Sequence, residues 1–446
     1  MKTDILIIGG GPAGVVTALT ARGSYPDKDV TLVRREEMAV IPCAIPYIFG
    51  TLGDVEKNRL PDRPLKDSGV ELLIDEVLDV DLERRVARTK DGLEIGFEKL
   101  VLATGSKPSI PPIEGGNLEG VFPIYKDARH LKSMLEWMKK SDEIVIVGGG
   151  FIGVELADEL LKVGKTVSIV EILPHILSLS FDDEFCQMAE EELKRRGVNL
   201  YTGVAVKRIL GEKRVEAVEL EGGETLKADM VVVATGARPN TELAERMGLD
   251  VSRYGVVVDE YMRTSHPDVF AVGDCAEKRD FFTQKPSRVM LASVATAEAR
   301  IAGANLYRLT AFRRFRGTLG IFSTKIGDLA LGVAGLIERR AEGEGFDYVV
   351  GRSKVFDKHP ASLPGSHEVH VKLIFTRRGG FFLGGQIAGG ESIGEMINII
   401  GLAIECGMTA AAYANLQIGT HPLLTPPPTA PATIKAAEDA LKRIFA

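Results

Sequence analysis

The chain has 446 residues, 45% hydrophobic and 26% charged, which supports about two to four globular domains and excludes a disordered or fibrous polymer. Its formal net charge of −7 leaves no basic footprint for nucleic acid or an anionic membrane. Four cysteines, Cys43, Cys186, Cys275 and Cys406, are too few for a disulfide scaffold and match no zinc spacing, so no metal is expected and a reducing, cytoplasmic setting is.

The 48 glycines exceed the usual ~7% of residues, and their positions map the chain. Residues 5–21 are largely apolar but shorter than the ~20 residues a membrane span needs, and glycines interrupt them. Residues 5–8 read instead as a buried parallel strand. They run into Gly9-Gly10-Gly11-Pro12-Ala13-Gly14 and a helix ending near Gly23. Strand, G-x-G-x-x-G and helix together form a dinucleotide cradle. Gly9 makes the turn, Gly11 admits a pyrophosphate, and Gly14 lets helix pack on strand. The pattern returns as a strand at 144–147, then Gly148-Gly149-Gly150-Phe151-Ile152-Gly153 and a helix stopping at Gly164. Two copies in matching context point to two dinucleotide sites.

A carboxylate about 20 residues past the first glycine binds the adenosine ribose and repels a 2′-phosphate. Glu171, 23 residues after Gly148, fits and favours NADH, with NADPH still compatible. The same offset from Gly9 falls on Leu32, followed by Val33, Arg34 and Arg35, so the first copy lacks a correctly placed acid; Glu36 and Glu37 are near. Strands ending in Ala-Thr-Gly close each unit, one carrying Thr104 and Gly105, the other Gly236. A further strand at 269–272 delivers Gly273-Asp274, an acid suited to a flavin ribityl hydroxyl.

In this order the motifs resemble the FAD-dependent pyridine nucleotide–disulfide oxidoreductases over nearly the whole chain. That resemblance implies an α/β fold of two Rossmann-like dinucleotide-binding domains and a C-terminal α+β dimerisation domain. It puts FAD at 1–113 and 246–320, NAD(P)H at 114–245, and an interface domain at 321–446. FAD binding would fall to Gly9, Gly11, Pro12, Ala13, Gly14, Arg34, Thr104, Gly105, Gly273 and Asp274. The nicotinamide nucleotide would meet Gly148, Gly150, Phe151, Ile152, Gly153, Glu171 and Gly236, with Glu155 near the nicotinamide. A homodimer is the minimum assembly implied, and a tetramer is compatible.

In Pro42-Cys43-Ala44-Ile45-Pro46-Tyr47-Ile48 the second cysteine of dithiol members is replaced by Ile48. The pattern is similar to the single-cysteine branch: coenzyme A-disulfide reductases, persulfide and polysulfide reductases, and NADH oxidases and peroxidases. A thiol of pKa near ~8.5 is only a few per cent ionised at pH 7, and one lowered to ~6 is mostly thiolate. A helix N-terminus and an adjacent flavin are the expected source of such a shift at Cys43. Cys186, Cys275 and Cys406 are expected to be structural.

The oxidases and peroxidases carry a His where this chain has Pro12, which cannot move a proton; this favours a small-molecule sulfur acceptor over oxygen. Gln417-Ile418-Gly419-Thr420-His421-Pro422 resembles the His-Pro of dithiol members, making His421 an acid–base candidate, although Pro426 stands where its orienting Glu would be. Arg22 matches an arginine that binds coenzyme A phosphate in relatives, so coenzyme A is a candidate ligand with Tyr47 on the substrate side. Arg59, Arg63 and Lys66 read as a solvated face. The expected activity is NAD(P)H-dependent reduction of polysulfide, CoA persulfide or CoA disulfide through Cys43. The alternatives are an NADH oxidase working through a Cys43 sulfenate and an electron-transfer flavoprotein reducing a small redox protein.

Overall fold

Ile5–Ile8 is buried along its whole length, as a parallel strand covered on both faces requires. It pairs in parallel with Val30–Arg34 and Lys99–Leu102. Glu71–Ile74 and Val269–Ala271 extend the sheet at either side, leaving the first strand central in a doubly wound order. Helices Pro12–Ser24 and Ala292–Asn305 pack side by side. Gly303 permits the approach, because a Cβ there would lie 2.9 Å from the Thr17 carbonyl oxygen.

The computed structural model describes residues 1–310 and 314–445, and they fall into two compact units. The first joins Met1–Pro111, Phe122–Lys140 and Thr235–Thr318. The second joins Pro112–Val121, Ser141–Ala234 and Leu319–Ala446.

The second unit repeats the parallel arrangement. Glu143–Val147 lies between Thr166–Glu171 and Met230–Val233, with Asn199–Thr202 beyond. Its C-terminal part is a five-stranded antiparallel sheet ordered Phe322–Ile326, Leu329–Gly335, Phe382–Gly389, Glu368–Thr376 and Tyr348–Phe356. Helices Ile393–Glu405 and Ala432–Ile444 pack on it, the latter seated over Gly351, where a Cβ would be 1.9 Å from the Ala436 carbonyl oxygen. Inside this unit the buried Lys372 gathers Asp182, Glu184 and Glu338 at 2.7, 2.8 and 2.6 Å. That charge cluster ties the loop after Glu171 to the antiparallel sheet.

Among the described residues no helix is long and apolar enough to cross a membrane, and no group of His, Cys, Asp and Glu is placed to hold a metal ion. His367 and His370, three apart in an extended run, pair instead with Asp357 and Glu368.

Candidate functional site

The two glycine turns are near copies. Gly9 and Gly148 take φ of +118° and +111°, a region open to glycine. A Cβ on Gly14 would meet the Gly9 carbonyl oxygen at 1.9 Å, and one on Gly153 the Gly148 oxygen at 2.1 Å. Gly11 and Gly150 differ: a Cβ on either would meet nothing within 4 Å. Both are N-caps of the helices Pro12–Ser24 and Phe151–Lys162, with no side chain capping the free N–H groups. Open space over an uncapped helix start is what a pyrophosphate needs, so both cradles fit a dinucleotide. Pro12 and Ala13 open the first helix. At the second, Phe151 stacks on Phe322 with centroids 4.8 Å apart, and Ile152 is exposed.

Past the cradles the units diverge. In the second, the Glu171 carboxylate accepts N–H bonds from Gly149 at 2.6 Å and Leu173 at 2.8 Å. Register shows its counterpart in the first: Val147 pairs with Val170, as Ile8 pairs with Val33. Arg34, not Leu32, therefore stands where Glu171 does, because the helix-to-strand connection is two residues longer. Arg34 is buried. It grips Asp62 with both prongs at 2.5 and 2.9 Å and donates to the carbonyls of Glu36 and Glu37.

Thr104 and Gly105 meet Asn240, the threonine hydroxyl donating to its carbonyl at 2.7 Å. Gly236 bonds Ser109 through its carbonyl. Both Ala-Thr-Gly ends thus join the paired strands Ser106–Pro108 and Ala237–Pro239 in the first unit.

Gly273 has φ +73°, and the buried Glu298 and Lys278 bracket its peptide. Its N–H donates to Glu298 at 2.8 Å, and its carbonyl accepts from Lys278. The turn aims Asp274 at Ser106 Oγ, 2.8 Å away, and Lys126 Nζ, 2.7 Å away. Burial raises the Asp274 carboxyl, and the Lys126 ammonium with Lys278 and Ser106 outweighs it, so the group stays below the usual carboxylate range.

Cys43 is exposed in a three-residue turn, Pro42–Ala44, followed by a second, Pro46–Phe49. Both are 3₁₀ turns. No α-helix starts at Cys43, contrary to expectation. Ile48 and Phe49 anchor the segment in the core, and Tyr47 is half-buried. Burial pushes the Cys186 thiol up to about 12 and raises Cys275, which suits structural roles. Cys406 is exposed at the end of Ile393–Glu405.

Glu155, one turn into its helix, accepts from Thr324 Oγ1 at 2.9 Å. Burial first, and the Glu159 charge second, push its carboxyl up to about 7 against the opposing Thr324 bond. His421 is exposed. Its Nδ1 accepts the Leu423 N–H at 3.3 Å, which leaves the proton of the neutral ring on Nε2; a backbone amide orients it in place of a carboxylate. The Arg22 guanidinium is engaged by the carbonyls of Ser68, Pro26 and Lys28. Arg59 and Arg63 are exposed and pair with Glu56 and Asp67.

The family profile for pyridine nucleotide-disulphide oxidoreductases matches residues 3–299, and that of their dimerisation domain matches 321–430. The chain belongs to this family. Pyridine nucleotide-disulphide oxidoreductases bind FAD and NAD(P)H, and the dimerisation domain supports a homodimer. An NADH oxidase of Methanocaldococcus jannaschii is 33% identical over 98% of this chain and 99% of its own. An NAD(P)H coenzyme A polysulfide/persulfide reductase of Pyrococcus horikoshii is 35% identical over 88% of each chain. Among solved structures, an NAD-dependent persulfide reductase from A. fulgidus superposes with TM-score 0.91 at 28% identity, covering 99% of this chain and 83% of that one.

Sequence reasoning missed Lys126, Ser106, Glu298, Lys278, Asp62 and Thr324. No short motif marks them, since all but Lys278 meet their partners across 20 residues or more of chain. Only Lys278, four residues past Asp274, lay close enough to suggest itself.

Proposed function

We propose that this oxidoreductase reduces sulfur–sulfur bonds, taking polysulfide, CoA persulfide or CoA disulfide as acceptor through Cys43. The observation that carries the reading is the exposed Cys43 on its anchored turn, with buried Ile48 where a dithiol enzyme has its second cysteine. FAD supplies the means to take a hydride from NADH and deliver the electron pair to sulfur. Cys43 thiolate attacks R–S–S–R′, forming a Cys43–S–S–R bond and releasing R′–S⁻. The two electrons cleave that mixed disulfide to Cys43 thiolate and R–S⁻, and two protons complete the products.

His421 of the partner subunit supplies one of those protons from Nε2. Glu171 takes the ribose hydroxyls of NADH. Gly9, Gly11 and Gly14 cradle the FAD pyrophosphate with Pro12 and Ala13 opening the helix, and Asp274 meets the ribityl chain. The FAD domain runs 1–113 and 246–320, the NADH domain 114–245, and the interface domain 321–446.

Oxygen reduction is the second reading, supported by the NADH oxidase relative. Pro12 at the first cradle opposes it, because a peroxide or sulfenate needs a proton donor there. Anaerobic NADH oxidation with polysulfide, set against oxidation under air, ranks the two. A higher kcat/KM for oxygen overturns the sulfur assignment.

A further inference from the structure

We infer that the Arg34–Asp62 ion pair is a positioning device for Cys43, clasping the loop that carries the thiol onto the strand end beside the first dinucleotide cradle. The inference rests on the reading of Cys43 as the redox thiol.

The loop leaves the sheet at Arg34 and runs to Asp62, which precedes the short helix Arg63–Asp67 that leads back to the sheet at Glu71. Its two limbs meet in a narrow neck: Ile41 N–H donates to Asn58 O at 3.0 Å, Leu60 N–H to Ala39 O at 2.8 Å, and Asn58 Nδ2 to Ile41 O at 3.1 Å. Cys43 lies two residues past Ile41, so the neck determines where the thiol sits. The clasp holds the base of that neck. Arg34 donates to Asp62 with both prongs and to two carbonyls of the outgoing limb, Glu36 and Glu37, so one guanidinium fixes both limbs at once.

Burial separates this pair from its neighbours. The Arg34 and Asp62 side chains are 1% and 23% exposed, against 49% and 66% for Arg59–Glu56 and 85% and 64% for Arg63–Asp67. Exposed pairs of that kind contribute little, whereas removing one partner of a buried pair strands a charge. The Arg34 guanidinium, ahead of Lys66 and Arg59, holds the Asp62 carboxyl below the usual range despite its partial burial. The Arg34 stem also abuts the cradle: a Cβ on Gly10 would lie 2.4 Å from its Cδ. In the sister cradle the same position carries Glu171, which bonds its own turn. Here it has been given to the loop.

The test uses the purified FAD enzyme as wild type, Asp62→Asn, Asp62→Glu and Cys43→Ser. NADH oxidation by ferricyanide reads electron delivery through the flavin, anaerobic oxidation by polysulfide reads the sulfur step, and iodoacetamide labelling across pH reads the thiol. Asp62→Asn is expected to keep the ferricyanide rate, lose polysulfide kcat by about tenfold to a hundredfold through thiol misplacement, and shift the labelling profile. Asp62→Glu, which keeps the charge and moves it by one methylene, is expected to fall between. If Asp62→Asn does not retain FAD, Asp62→Glu carries the comparison. Wild-type polysulfide turnover and labelling in the Asp62 variants, with Cys43→Ser inactive, overturns the inference alone. Full polysulfide turnover by Cys43→Ser overturns the underlying reading instead.

Discussion

Glu155 carries a cost that depends on pH. Its carboxyl titrates near 4.5 when exposed and at about 7 in the fold, chiefly because burial disfavours the charge, with Glu159 adding repulsion. A rise from 4.5 to about 7 corresponds to about 3 kcal/mol at ~1.36 kcal/mol per pH unit. The folded acid holds its proton more tightly than the unfolded one, so stability falls as pH rises between these two values. Below 4.5 both states are protonated and the cost vanishes; above 7 both are ionised and it is complete. Glu155→Gln keeps an oxygen for the Thr324 hydroxyl and removes the ionisation. Urea unfolding of wild type and variant, in parallel from pH 4.5 to 8, is expected to show curves that coincide at the acid end. They should separate to at most about 3 kcal/mol in favour of the variant by pH 8. A difference that does not change with pH, or one that grows toward acid, refutes the burial argument.

Glu171→Ala removes a carboxylate held by two backbone N–H groups. The NADH-over-NADPH preference in kcat/KM should then drop by about tenfold or more, the scale of a charged hydrogen bond, and an unchanged ratio would place the ribose elsewhere. The glycines of the first cradle should respond in opposite ways. Gly14→Ala drives a methyl to 1.9 Å from a carbonyl oxygen and should yield no soluble flavoprotein. Gly11→Ala projects a methyl into open space and should fold while retaining less FAD, read as flavin absorbance per chain. Full occupancy in Gly11→Ala would argue that the pyrophosphate does not lie there.

Local signals explain what could be read in advance. The apolar runs at 5–8 and 144–147 and the glycine turns after them are written in the consecutive residues 5–14 and 144–153, and strand, turn and helix formed there as the spacing implied. The offset points to Leu32 rather than Arg34 as the Glu171 counterpart, because a fixed spacing cannot foresee a connection two residues longer. The turn at Cys43 did hold a clue. Pro46 lacks the N–H that an α-helix through this segment would donate to the Pro42 carbonyl, and 3₁₀ turns form. The Glu155–Thr324 bond and the Lys126–Asp274 pair join residues 169 and 148 apart, beyond any periodicity.

As the redox thiol, Cys43 would form and release a covalent bond to substrate sulfur in every turnover. Intact-protein and peptide mass spectrometry of the oxidised enzyme, after CoA disulfide and again after one equivalent of NADH without oxygen, tests it directly. The expected result is a mixed disulfide on Cys43 alone, discharged by NADH and absent in Cys43→Ser, whose turnover falls about a hundredfold or more. An unmodified Cys43 during steady turnover, or an adduct that NADH does not remove, would contradict it.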